Sequence, residues 1–277
     1  ITGINKFAQL SIFSELNNLQ NISMMPRYSA ICGITQSELE RDMKEPVRDL
    51  ADKQGISYDN ALLQLKHNYD GYHFCHESED IYNPFSLIKC LDAREFRPYW
   101  FETATPTFLL ERLRKNPMDE TKLDKMTEIA QSDFDISPEL TEDTLPMLYQ
   151  TGYLTIKGYN KEDHSYTLGY PNREVREGFL RGLLANYKSS EGMSASFVLK
   201  FNKALKDNDV NGSLELLQSF MAGIPYDLEN KTEKHYQTII YLVFSLLGYY
   251  TQAEVKSDVG RADAVCRTKD RTYVFEF

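Results

Sequence analysis

The chain has 277 residues, of which 42% are hydrophobic, and a formal net charge of −10. This is enough apolar material for a sizeable core divided among two or three domains. The negative charge argues against a protein whose whole surface binds nucleic acid. No apolar run approaches the roughly 18 residues that span a bilayer, so no membrane partner is expected. The four cysteines are scattered, which favours a reduced, cytoplasmic setting.

The part of the chain up to residue 135 is predicted to be mostly helical. Thr35 has the character of an N-cap, and Glu38 completes a capping box for a helix over residues 36–43. Asn83 and Pro84 are typical of another helix start. Helices are also expected over residues 28–32, 46–53, from Ser57 or Asp59 to Tyr69, and over 105–115, followed by a linker with one short helix up to Asp135.

An aromatic segment over residues 71–85 contains three residue types that bind metals, namely His73, Cys75 and His76. Neighbouring residues of a strand face alternate sides, so these three side chains cannot all bind one ion. We therefore expect no metal site there. Trp100, the only tryptophan, is expected to anchor the core.

The middle of the chain predicts a helix over 145–150, strands over 153–157 and 166–170, and a helix over 172–187. This order is typical of a winged-helix arrangement, which binds DNA in some proteins and packs other domains in others. From Lys157 to Lys206 the chain carries nine Lys or Arg against five Asp or Glu, a net charge of +4. This surface is either a site for a phosphate backbone or an ordinary solvated face.

The last part of the chain predicts a helical pair over residues 195–206 and 213–221, an apolar helix over 233–247, and then a sheet. Two β-type runs, 261–267 and 272–277, flank a polar turn at 268–271.

A symmetric hairpin about this turn pairs Arg267 with Thr272 and Asp263 with Glu276. Directly opposed residues have Cβ atoms about 4.5–5.5 Å apart, and like charges there repel. A hard cation such as Mg²⁺ between the two carboxylates would remove this repulsion. A solvated sheet face, or a turn of odd length, explains the same spacing without a metal.

Several sequence blocks resemble a family of bacterial AAA-ATPase-like proteins. The C-terminal unit resembles a PD-(D/E)XK nuclease-superfamily domain that is often fused to that ATPase. The blocks are Ile1-Thr2-Gly3, Lys6-Phe7, Ser11-Ile12-Phe13-Ser14, Leu16-Asn17-Asn18-Leu19, Tyr69-Asp70-Gly71-Tyr72-His73-Phe74, Tyr82-Asn83-Pro84-Phe85-Ser86, Tyr99-Trp100, Tyr149-Gln150-Thr151-Gly152-Tyr153-Leu154-Thr155 and Tyr170-Pro171-Asn172-Arg173-Glu174-Val175.

The resemblance implies a mixed α/β, predominantly α-helical chain. Residues 1–22 would end the ATPase core, and residues 23–135 would form a helical, ATPase-lid-like region. Residues 136–225 would form the winged-helix-like and helical region, and residues 226–277 the start of a restriction-endonuclease-like α/β core.

The nuclease resemblance also implies roles for particular residues. Asp263 takes the position of the metal-binding aspartate, and Glu276 the acidic position of the Glu-x-Lys element. Glu233 matches an acid on the preceding helix, although a first-turn acid is equally explained by the helix dipole. Thr2 lies where a nucleotide sensor is expected. The lysine of the pattern would follow Phe277.

No Gly-x-x-x-x-Gly-Lys-Ser/Thr sequence occurs in the chain, and the resemblance places the phosphate-binding loop upstream of Ile1. We therefore expect residues 1–277 to lack both ATP binding and nuclease activity on their own. ATP would bind only in the full-length protein, which would be a homo-oligomer.

The sequence leaves two candidate functions open. One is a Mg²⁺- or Mn²⁺-dependent nuclease that acts on nucleic acid, DNA above all, and is coupled to the ATPase. The other is a non-catalytic scaffold with a degenerate nuclease fold that binds nucleic acid or protein.

Overall fold

The structure is a computed structural model of the chain. It describes residues 22–100, 127–136, 141, 143–186, 194–222, 233–247, 250–257, 260–267 and 271–275. The chain divides into two compact units, Ile1–Arg176 and Glu177–Phe277. The predicted ATPase-core segment and the helix over 105–115 lie outside the described residues, apart from Ile22.

The first unit begins with helices whose ends follow the predicted signals. Thr35 accepts a hydrogen bond from the Glu38 amide at 3.2 Å, and the Glu38 carboxylate accepts one from the Thr35 amide at 2.9 Å, which confirms the capping box. Asn83 caps a later helix, as predicted. The helices are α1 (Gln36–Asp42), α2 (Lys44–Gln54), α3 (Tyr58–Tyr69) and α4 (Pro84–Ala93).

The four helices enclose a core of apolar side chains. Two short antiparallel strands that the sequence analysis did not predict, β1 (Ile34–Thr35) and β2 (Ile81–Tyr82), pair with each other, and Tyr82 belongs to this core. The helix expected over residues 28–32 is wrong: a 3₁₀ helix covers Pro26–Tyr28, with Pro26 at its first position, and turns follow. The core includes Leu39, Val47, Leu50, Leu65, Tyr69, Tyr82, Leu87 and Cys90.

A three-stranded sheet follows, in the order β3–β5–β4. The region before residue 136 was expected to be a linker with one short helix, and this is wrong in part. It contains β3 (Thr127–Ala130) and then a 3₁₀ helix over Gln131–Asp135. Strand β3 forms by pairing with the distant β5 (Ser165–Gly169), a long-range interaction that local sequence does not reveal.

The helix–hairpin–helix order of the middle region is present. It consists of α5 (Leu145–Gln150), β4 (Thr155–Asn160), β5 and α6 (Arg173–Asn186). The additional strand β3 extends the hairpin to a three-stranded sheet. Whether this region is a winged helix stays a prediction.

The second unit contains three further helices and a sheet. Helices α7 (Ser194–Lys206) and α8 (Val210–Ala222) pack together, with the rings of Phe197 and Phe220 stacked at 4.4 Å between centroids. Helix α9 covers Glu233–Leu246. The sheet consists of β6 (Tyr250–Ser257), β7 (Gly260–Arg267) and β8 (Thr272–Phe275), in that order. In the described part of the chain, no helix has the length and apolar character needed to cross a membrane.

Candidate functional site

Helix α9 supports the C-terminal sheet from one side. Its side chains from Ile239 to Phe244 are buried, as expected of a helix that is apolar around most of its circumference. The helix packs against β6 and β7. The Phe244 ring lies 6.2 Å from the Tyr273 ring and 5.4 Å from the Phe201 ring, measured between centroids. This packing fixes the sheet that carries the predicted metal ligands.

The register of β7 and β8 is the one that the sequence predicted. Arg267 pairs with Thr272, Cys266 with Tyr273, Val265 with Val274, and Ala264 with Phe275. The predicted Arg267–Thr272 pair, and with it the symmetric hairpin, is therefore confirmed.

Some of the predicted site residues lie within the described part of the chain, and others lie outside it. Asp263 lies on β7, directly before Ala264. Glu276 directly follows β8 and lies outside the described residues, as does Thr2. Glu233 is the first residue of α9, with its side chain outside the described set. The Asp263–Glu276 pair therefore stays a prediction, as do the roles of Glu233 and Thr2.

Successive residues of a strand lie on alternate faces of the sheet, so the register shows which residues share a face. Tyr273, which contacts Phe244 of α9, pairs with Cys266 and shares its face. Asp263 lies three residues before Cys266, so it lies on the opposite face. Asp263 shares that face with Val265 and Val274, which pair across β7 and β8.

Strand β6 carries a further acidic residue, Glu254, that the sequence analysis did not single out. We refer to Glu254, Asp263 and the predicted Glu276 as the acidic row. Ala253 pairs with Ala264 and Val255 pairs with Ala262. The residues between these pairs, Glu254 and Asp263, therefore lie opposite each other. The signal was available in principle, because Ser257 pairs with Gly260 across a two-residue connection, a spacing typical of a hairpin.

Two basic residues lie beside the two carboxylates. Lys256 pairs with Arg261, and each lies two residues along its strand from Glu254 or Asp263. Residues two apart on a strand share a face. The hairpin therefore places an acidic pair and a basic pair next to each other on one face of the sheet.

The described residues contain no cluster of three or more His, Cys, Asp or Glu side chains that could hold a metal ion. The histidines of the aromatic segment have separate partners. His73 Nδ1 lies 3.0 Å from Asp80 Oδ1, and the His76 ring lies 4.4 Å from the Tyr159 ring. Cys75 is buried.

A second polar cluster joins α3 to the β4–β5 hairpin. The register of the hairpin shifts between Ile156 and Gly158, which makes Lys157 the extra residue of a β-bulge. The partly buried Lys157 ammonium donates to the carbonyls of Gly71 at 2.9 Å and Pro171 at 3.2 Å. Burial of the ammonium lowers the pKa of Lys157, an effect opposed by the nearby carboxylates of Asp80 and Asp70.

Asp70 is the most enclosed carboxylate of this cluster, with 3% of its surface exposed. Its Oδ1 has no hydrogen-bond partner. Burial raises the pKa of Asp70 above its usual range, although the Gly71 amide and the charges of Lys66 and Lys157 act against this. The cluster is a partly buried junction within the first unit, and none of its residues is a predicted nuclease-site residue.

One segment of the second unit is similar to a known family. Residues 231–277 match the sequence model of the PD-(D/E)XK nuclease superfamily. This segment contains α9 and the strands β6, β7 and β8.

The whole chain is also similar to the "Uncharacterized protein in vnfD 5'region" of Azotobacter chroococcum mcd 1. The two are 32% identical over 286 residues, an alignment that covers 100% of this chain and 52% of the relative. The chain therefore spans about half the length of this curated relative. No solved structure matches the chain.

Proposed function

We propose that the C-terminal unit belongs to a metal-dependent phosphodiester hydrolase that acts on nucleic acid, DNA above all. The observation that carries this proposal is the β7–β8 register, which ends at Ala264 and Phe275. One further step of the same ladder would pair Asp263 with Glu276. The step falls within the segment that matches the nuclease superfamily.

The residues of the acidic row have the chemistry to bind a divalent cation. Asp263 and Glu276 offer the carboxylate oxygens that Mg²⁺ prefers, and Mn²⁺ accepts the same donors. Glu254, opposite Asp263 on the other side, adds a third carboxylate to the row. Three like charges on adjacent strands repel one another, and a bound cation offsets that repulsion.

Asp263 and Glu276 would hold the metal. When bound, the metal would supply charge stabilisation at the phosphate and would lower the pKa of a water molecule. Glu233 is assigned to assist from α9, directly or through water. The Glu-x-Lys pattern also calls for a lysine, which orients the attacking water or neutralises the charge that develops on the phosphate.

In the intact protein we further propose coupling to an AAA-type ATPase. This rests on the resemblance of the first 22 residues and of the blocks around Tyr69 and Tyr149. Thr2 is assigned as a sensor of the nucleotide, and the intact ATPase is assigned a homo-oligomeric assembly. The match to the nuclease superfamily does not include these residues, so the ATPase assignment rests on the sequence blocks alone.

A non-catalytic scaffold is the second candidate. The net charge of −10 favours it, because nucleic acid is itself an anion. In this alternative the acidic row is a solvated sheet face, and the nuclease fold is retained without its chemistry.

Cleavage of plasmid DNA by the intact protein, with Mg²⁺ or Mn²⁺, separates the two candidates. We expect cleavage by the wild type and none by Asp263→Asn, which keeps the size of the side chain and removes its charge. Asp207→Asn, at an exposed acid of the second unit, is the matched control and should cleave like the wild type. Equal cleavage by wild type and Asp263→Asn would remove Asp263 from the mechanism, and no cleavage by either would favour the scaffold.

A further inference from the structure

The basic pair on the β6–β7 hairpin has no role in the metal site described above. Lys256 and Arg261 are directly paired across the two strands. Two like charges in this position cost stability, by roughly 0.2–1 kcal/mol on the scale of cross-strand pairs. As with the acidic row, an arrangement that costs stability calls for a ligand of the opposite charge or for a neighbour that neutralises it.

The position of the basic pair is defined by its distance from the acidic pair. Lys256 lies two positions after Glu254, and Arg261 lies two positions before Asp263, a distance of about 6.6 Å along each strand. Both pairs share one face, away from the Tyr273 side chain that contacts α9. A group bound at the acidic pair would therefore lie two strand positions from the basic pair.

The chemistry of the two side chains defines the ligand. A guanidinium binds phosphate oxygens through two parallel hydrogen bonds, and an ammonium adds a compact point charge. We propose that Lys256 and Arg261 bind the phosphodiester backbone of the nucleic-acid substrate next to the metal. This inference rests on the proposed function, since it assigns the contact to the same substrate.

A purely structural alternative also follows from the register. Diagonal neighbours on adjacent strands are about 7–8 Å apart, within reach of long side chains. Lys256 could pair with Asp263, and Arg261 with Glu254, without any ligand. In that case the basic pair would neutralise the carboxylates, and its removal would change metal affinity or stability and leave the affinity for nucleic acid unchanged.

The test measures nucleic-acid binding and metal binding separately in the intact protein. Binding of a fluorescein-labelled DNA duplex is followed by anisotropy in EDTA, which prevents metal-dependent cleavage, over a range of salt concentrations. Mn²⁺ binding is followed by calorimetry without DNA. The variants are Lys256→Gln, Arg261→Gln and, as control, Arg267→Gln. Arg267 lies on the same strand and face as Asp263, four residues away.

We expect Lys256→Gln and Arg261→Gln each to weaken DNA binding and to reduce the slope of log affinity against log salt by about 1, the value for one lost phosphate contact. Their Mn²⁺ affinity should stay within about twofold of the wild type, and Arg267→Gln should change neither quantity. Unchanged DNA binding by both variants, in a protein that still binds Mn²⁺ and cleaves DNA, would overturn this inference alone. A wild type that neither binds Mn²⁺ nor cleaves would overturn the proposed function and this inference with it.

Discussion

Gly71→Ala tests the packing of the junction between α3 and the β4–β5 hairpin. Gly71 has a φ of 98°, a conformation that favours glycine. A Cβ atom there would overlap the carbonyl oxygen of Pro171. Lys157 donates to both the Gly71 and the Pro171 carbonyl, so any separation of these two backbone segments also weakens its hydrogen bonds.

The expected loss of stability follows from these contacts. An alanine in the left-handed region costs about 1–2 kcal/mol. Relief of an overlap with backbone costs roughly 1–3 kcal/mol more, and a weakened hydrogen bond about 0.5–1.5 kcal/mol. We therefore expect Gly71→Ala to lower the free energy of unfolding of the first unit by about 2.5–6.5 kcal/mol.

Gly55→Ala is the matched control. Gly55 ends α2 with a φ of 65°, and a Cβ there would have no heavy atom within 4 Å. Only the backbone strain applies, so we expect a loss of about 1–2 kcal/mol. Both variants are measured by urea unfolding, followed by the fluorescence of Trp100, whose ring lies 5.1 Å from that of Tyr153 in the same unit. Equal losses for the two variants would refute the proposed contact with Pro171.

Three further predictions concern the first unit, and all use urea unfolding. Thr35→Ala removes the capping box and should cost about 1 kcal/mol, whereas Thr35→Ser, which keeps the hydroxyl, should cost much less. Glu174 is buried and accepts a hydrogen bond from the Trp100 amide at 2.8 Å, so Glu174→Ala should cost about 1–3 kcal/mol, against less than about 0.5 kcal/mol for the exposed Glu128→Ala. The raised pKa of Asp70 means that the folded state binds its proton more tightly than the unfolded state. The resulting stability is present below the unfolded pKa and is lost as the pH rises through the folded pKa. The stability of Asp70→Asn should therefore fall less than that of the wild type as the pH rises from about 4. Parallel pH profiles, or a Thr35→Ser loss equal to that of Thr35→Ala, would contradict these assignments.

Local signals in the sequence were sufficient for much of the fold. The N-cap at Thr35 and the helix start at Asn83 depend on contacts within three residues, and both are present. The Arg267–Thr272 pair follows from the length of one turn, so the sequence also predicts it correctly. Such features need no knowledge of distant parts of the chain.

Features that depend on distant contacts could not be predicted in this way. Strand β3 forms because Ile129 pairs with Tyr166 on a strand far along the chain. Lys157, the extra residue of the bulge, donates to the carbonyls of the distant Gly71 and of Pro171. Part of the candidate site was missed for a different reason, because a local hairpin was not recognised. Asp263 was found from the hairpin that follows it, whereas Glu254 and the Lys256–Arg261 pair required the register of the preceding hairpin.

Calorimetric titration of the intact protein with Mn²⁺ tests the proposal that Asp263 binds a divalent metal. We expect the wild type and the Asp207→Asn control to bind Mn²⁺ with the same affinity. Asp263→Asn should bind at least about tenfold more weakly, since even the loss of a group that only orients a ligand costs about 10–100-fold in affinity. Equal Mn²⁺ affinity for the wild type and Asp263→Asn would contradict the account.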